Sequence, residues 1–182
     1  GKVVTDPSAI TYGWQQPDET KEAVAGGAYE AYATSDITGT LDPMVSPSFT
    51  TVDSMGGTVY EVLLRGTSGP GIAPRSDEGR KILGNVAEKY EISADAISYT
   101  FKLRPNIKFH NVPPVSGRVM DIEDWKTSFD RYMASSPFKA QITDVVDKIE
   151  TPDSKTMVIK LTEPSVAFLR LMTAARSSVL IL

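Results

Sequence analysis

The stretch "YEISADAISYTFKLRPNIKFH" (Tyr90 to His110) decides the reading of this chain. Tyr99, Phe101 and Leu103 alternate with Ser98, Thr100 and Lys102, the period of two that marks a strand with one buried face. "AEKYEIS" before it is the partner, and Ala94-Asp95-Ala96 is the turn of the hairpin. The stretch ends in His110, the single histidine of the chain. An imidazole titrates near neutrality and is a natural suspect for catalysis or metal binding. A metal site needs further His or Cys ligands, which the chain lacks. His110 therefore reads as a structural residue hydrogen-bonded to the irregular segment around it.

Working outward, "RPNIKFHNVPPVSGRVM" carries prolines that speak against regular structure. Asp121 is then placed as the N-cap of a helix, "IEDWKTSFDRYMASS", with Ile122, Trp125, Phe129 and Tyr132/Met133 as its core stripe. Glu123 and Asp124 could be proposed as an acid/base pair. Neighbouring helix positions diverge by about 100°, however, and acids in a first turn favour the helix dipole, so capping explains them better. A second hairpin, "DVVDKIE" with "TMVIKLTE", is expected across "TPDSK", with Pro152-Asp153 as its turn. Pro164 stops that strand and starts a short helix, "SVAFLRLMT".

Upstream, residues 1–26 read as an extended leader, and a strand is expected at Ala28–Thr34. Ser35, Asp36, Thr38 and Thr40 follow it in a polar loop closed by Pro43; these groups suit a polar small molecule, and equally a solvated turn. "SFTTVDSMGGTVYEVLLRG" places Val52, Met55, Val59 and Leu63 at helical spacing, capped by Ser48 or Thr50. The Gly56-Gly57 pair weakens that helix by about 2 kcal/mol against alanine and asks for a packing reason. "TSGPGIAPRSDEGRK" is a loop. The order strand, helix, hairpin, helix, hairpin, helix gives a mixed α+β fold, without the alternation of a doubly wound sheet.

The 182 residues are enough for a core without staples, and 41% hydrophobic with 23% charged residues excludes wholesale disorder. A net charge of -4 and scattered Lys and Arg argue against nucleic-acid partners. The absence of cysteine excludes disulfides and thiolate chemistry and leaves the redox compartment open. No apolar run reaches the roughly 18 to 20 residues of a membrane span. No phosphate loop, G-x-S-x-G elbow, HExxH or EF-hand pattern appears, so no cofactor, metal or catalytic residue is expected. An opening "GK" without Met and an apolar finish, "SSVLIL", lead to the expectation of a portion of a longer polypeptide.

The pieces "GTLDP", "VYEVLLRG", "NVAEKYEISADAISYTFKLRPNIKFHN", "MDIEDWKTSFDRYM", "VDKIETPDSKTMVIKLTEP" and "FLRLM" occur in an order that resembles the extracytoplasmic solute-binding proteins of ABC importers, family 5, the peptide, dipeptide and nickel class. The resemblance covers about Gly27 to Met172. Departures are Tyr90 where tryptophan is usual, Asn111 in place of aspartate, and a loop lengthened by "VPPVSGR".

The resemblance implies the first lobe and accessory subdomain of a two-lobed type II periplasmic-binding-protein-like fold. Residues 27–50 and 140–182 would form the lobe I core, 51–139 the accessory subdomain, and the second lobe would lie outside the chain. It implies no enzyme but a monomeric extracytoplasmic binder of peptides or other small solutes that serves ABC permease subunits. Membrane attachment would come only from a lipid anchor outside these residues. Ligand contacts would fall to Ser35, Asp36, Ile37 and Thr38 after the first strand, and to Ala175, Arg176 and Ser177 near the chain end. The alternative implied is a sensor or interaction module that reuses the scaffold without transport.

Overall fold

The computed structural model describes residues 26–27, 39–73, 75–165 and 167–174. Residues 1–25 of the leader, the expected strand at 28–34 and both expected ligand segments lie outside the described residues. The chain divides into one unit of residues 1–32 and 66–82 and a second of 33–65 and 83–182.

Helix α1 (Phe49–Thr58) begins where Ser48 caps it, the Ser48 hydroxyl accepting from the Thr51 N–H at 3.4 Å. It is shorter than its apolar spacing suggests. Helix α1 ends past the glycine pair, with the N–H groups of Val59 and Tyr60 both closing on the Met55 carbonyl. "EVLLRG" then runs extended instead of helical, because it has other partners: the Leu63 carbonyl accepts from Asn85 N–H at 3.2 Å and from Ala87 N–H at 3.1 Å. Strands β1 (Leu64–Gly66) and β2 (Ile82–Gly84), neither anticipated, form a small two-stranded sheet. Within the first unit, the loop between them is closed by Thr67 N–H donating to the Lys81 carbonyl at 3.1 Å.

In the second unit, β3 (Ala87–Ile92) and β4 (Ser98–Leu103) make the expected hairpin. Helix α2 (Ile122–Ser135) starts at Asp121, whose carboxylate accepts from the N–H groups of Glu123 and Asp124 while Asp124 returns the bond to the Asp121 N–H. This is a full capping box, so the Glu123-Asp124 pair does belong to helix initiation. A one-turn helix, α3 (Ala140–Thr143), was not foreseen. Strands β5 (Val146–Asp153) and β6 (Thr156–Leu161) form the second hairpin, and α4 (Phe168–Leu171) follows. The turn of that hairpin is Ser154-Lys155, not Pro152-Asp153. Pro152 sits at a register irregularity near the end of β5, where a missing N–H is tolerated. Asp153 builds the turn with its side chain, accepting from Lys155 N–H at 2.8 Å and from the Thr156 hydroxyl at 2.7 Å.

Both hairpins enter one antiparallel sheet of order β3-β4-β6-β5. Phe101 stands opposite Tyr90 on one side and Met157 on the other, and Tyr99 opposite Ile92 and Ile159. One face of the two central strands is therefore Tyr99, Phe101, Leu103, Met157, Ile159 and Leu161, all buried. A fully buried side chain of this size contributes about 1.5–3 kcal/mol. Ile149 pairs with Ile159 and extends this face onto β5. Helix α2 covers its β5 side with Trp125 and Phe129, whose rings stack at 5.2 Å. At the other end the Tyr99 ring meets Phe168 at 4.7 Å, and its hydroxyl donates to the Ser165 carbonyl. The opposite face is polar: Lys102 donates to Thr156, and Lys160 and Lys148 both reach Glu150. The expected boundary at 139/140 thus falls between two strands, β4 and β6, that are hydrogen-bonded neighbours.

A polar hollow beside helix α1

Six of the residues that line a hollow of about 370 Å³, Tyr60 among them, are polar or charged and arrive from separate pieces of the second unit. Helix α1 supplies Asp53 and the buried Gly56, the extended segment after it supplies Glu61 and Arg65, and the bend after β2 supplies Asn85. Gly56 is buried where it borders the hollow. Asn85 organises the wall: its side-chain amide donates to the Glu61 carboxylate at 2.6 Å and to the Val62 carbonyl at 2.9 Å. Its own carbonyl accepts from Arg104 Nε at 3.1 Å. Thr173, just upstream of Ala175, also borders the hollow. Carboxylates, a guanidinium, an amide and a hydroxyl can hold a charged or polar small molecule; they include no nucleophile paired with a base.

Ser35, Asp36, Ile37, Thr38, Ala175, Arg176 and Ser177 lie outside the described residues. What is described is the turn after the first group. Thr40 Oγ1 accepts from Asp42 N–H at 3.1 Å, and the Asp42 carboxylate accepts from Met44 N–H at 2.9 Å. Arg131 of α2 forms an ion pair with the same carboxylate. The hollow residues were missed in the sequence because "VYEVLLRG" was assigned to helix; the Gly84-Asn85 bend before the hairpin was the available signal.

His110 is exposed, and among the described residues its imidazole has no hydrogen-bond partner. The anchoring expected of that side chain is done by the main chain instead. Its carbonyl accepts from Val112 N–H at 2.8 Å and Gly117 N–H at 3.1 Å, holding a tip that contains a cis Pro113–Pro114 bond. The segment is less irregular than its prolines imply, since Lys108 and Val119 form an antiparallel bridge. Arg118 closes it onto α2 with two bonds to Asp124, at 2.7 and 2.5 Å, while its guanidinium lies 4.9 Å over the Phe109 ring. The guanidinium holds the Asp124 carboxyl below the usual carboxylate range. Burial pushes the Tyr132 phenol up to about 12, and its hydroxyl donates to the Phe138 carbonyl. Both are structural arrangements. Among the described residues no group of three or more His, Asp or Glu side chains could hold a metal, and no helix is long and apolar enough to cross a membrane.

Comparison with known proteins places this architecture. The model of the bacterial extracellular solute-binding proteins, family 5, matches residues 81–180, which contain the four-stranded sheet and α2. The chain belongs to this family. A Brucella ovis protein named as an ABC transporter peptide-binding protein is 38% identical over 100 residues, covering 53% of this chain and 18% of that protein. The glutathione-binding protein of Pectobacterium atrosepticum is 29% identical over 157 residues, covering 80% of this chain and 28% of that protein. Among solved structures, a binding protein of A. tumefaciens R10 in complex with agropinic acid superposes with a TM-score of 0.60 at 29% identity, covering 77% of this chain and 26% of that one. The periplasmic binding protein DppA of Helicobacter pylori, in complex with the peptide STSA, shares the fold at a TM-score of 0.61 and 22% identity, over 76% of this chain and 28% of that one. Family 5 proteins bind solutes and are not enzymes. The chain spans less than a third of the length of these relatives.

Proposed function

We propose that the chain is part of the substrate-binding component of an ABC importer, which captures peptides or related small solutes in a cleft between two lobes and delivers them to a membrane permease. The observation that carries this reading is the family match over residues 81–180, together with relatives named for binding peptides and glutathione. Hinge closure of two lobes around a ligand is the mechanism such a component uses. Residues 27–50 and 140–182 are assigned to the lobe I core and 51–139 to the accessory subdomain, with the β4–β6 ladder as the joint between them. Ser35, Asp36, Ile37, Thr38, Ala175, Arg176 and Ser177 are proposed to line the lobe I wall. The polar hollow at Asp53, Glu61, Arg65 and Thr173 is proposed as a further polar surface for solute contact. The component would act as an extracytoplasmic monomer.

Calorimetric titration of the full-length protein with a panel of di-, tri- and tetrapeptides tests this. Micromolar or tighter binding is expected of the full-length protein, and weak or no binding of the 182-residue chain alone, which has one wall of the cleft. A full-length protein that binds none of the panel overturns the peptide reading.

A further inference from the structure

A depression of about 350 Å³ lies between α2 and β5, apart from the polar hollow, and solute capture gives it no role. Met133 of the helix and Val146 and Ile149 of the strand border it, all three only partly buried and so open to a ligand. Val146 and Ile149 are three residues apart, a spacing that strict alternation would send to opposite faces. A bulge makes up the difference. Leu161 and Lys160 are consecutive on β6, yet their partners on β5 are Val146 and Lys148, which leaves Asp147 as the extra residue. Bulges re-aim side chains, and here an acid borders the depression beside Val146 and Ile149. Asp147 is exposed and, among the described residues, makes no hydrogen bond or ion pair. The other rim charges are satisfied, Lys126 by Asp130 at 2.5 Å and Lys148 by Glu150 at 2.7 Å. Lys148 follows Asp147 in sequence, but Glu150 is the stronger influence on its ammonium. One negative charge is therefore left over beside an apolar surface.

The geometry points to a second binding site, for a small aliphatic amine: its ammonium pairs with the Asp147 carboxylate and its methylene chain lies on Val146, Ile149 and Met133. An apolar body with one cationic end matches both parts of the surface, where an anion of the same shape would be repelled and a neutral molecule would leave the charge unanswered. The stacked rings of Trp125 and Phe129, both buried, close the floor beneath, so the chain lies along the depression instead of entering the core. A volume of about 350 Å³ is at the small end of ligand pockets and suits a ligand of this size. The inference goes beyond solute capture and does not rest on it.

Titration of the isotope-labelled full-length protein with hexylammonium chloride at constant ionic strength, followed by amide NMR, tests it. Saturable shifts at Met133, Val146, Asp147 and Ile149 are expected, with a Kd of about 1 mM or tighter. Asp147→Asn should weaken binding about fivefold, and Asp147→Glu should restore it; unchanged amide shifts in β4 and β6 show that the sheet is intact in both. 1-Hexanol should bind the unaltered protein about fivefold more weakly than hexylammonium, and hexanoate should not bind. Shifts that stay linear in ligand concentration overturn the inference, as does equal affinity for 1-hexanol or an unchanged Kd in Asp147→Asn. Loss of the hexylammonium shifts on saturation with a bound peptide would put the amine in the solute cleft and overturn it too. Failure of the protein to bind any peptide bears on the solute reading alone.

Discussion

Asp42 and Arg131 form an ion pair across 89 residues of sequence and tie the turn before α1 to the third turn of α2. The Asp42 carboxylate is shared, since its other oxygen accepts from Met44 N–H. Arg131 also reaches the Met44 sulfur at 3.7 Å, so the pair clamps a turn instead of merely decorating a surface. Arg131 is 40% exposed and Asp42 25%, which limits the pair to the range of partly solvated bridges. A double-mutant cycle with Asp42→Asn and Arg131→Met, read by urea denaturation, should give a coupling of about 0.5–1 kcal/mol. Additive single effects would show that the two residues act separately.

The Arg118–Asp124 pair makes stability depend on acid. The folded carboxyl is held below its unfolded value of about 3.9, so its contribution is complete above that pH and is lost as pH falls through the folded value. Arg118 is 47% exposed, which keeps the gain modest. Asp124→Asn should cost about 1 kcal/mol at pH 7, with the gap to wild type closing on acidification below about pH 4. Thermal melts across that range check it; a gap of constant size throughout would mean that the lost cap, and not the charge, is responsible.

Gly84 has an ordinary backbone angle but no room. A Cβ there would stand 2.2 Å from the Ala87 carbonyl oxygen and 2.7 Å from that of Glu88, both main chain and unable to swing away. Gly84→Ala is expected to lower stability by about 1–3 kcal/mol, measured as a shift in urea midpoint. Unchanged stability would mean that β2 and β3 approach less closely than described.

His110→Ala should leave stability within about 0.5 kcal/mol of wild type, because the bonds at that position belong to the main chain. Peptide affinity of the full-length protein should also be unaffected. A tenfold loss of affinity would return the imidazole to the list of functional groups.

The hairpins and α2 were legible because their signals are local: alternation in "SYTFKL", a 3.6 period in "IEDWKTSFDRYM", and a capping aspartate at 121. The segment Glu61–Gly66 was not, because its apolar residues suit a helix and only the distant Asn85–Ala87 main chain draws it extended. The Pro152-Asp153 pair misled for a related reason: proline at the edge of a sheet costs no hydrogen bond, which sequence spacing alone does not reveal. The polar hollow combines residues from four separated segments, and no motif spans such distances.

The β4–β6 ladder also orders events in time. Lys102 and Thr156 stand 54 residues apart, yet their strands are neighbours, so each hairpin can close quickly on its own while the sheet waits for a long loop to be drawn shut. Until β6 has left the ribosome, the apolar side of β4 has nothing beside it but β3. The nucleus of the core therefore stays incomplete until late in synthesis.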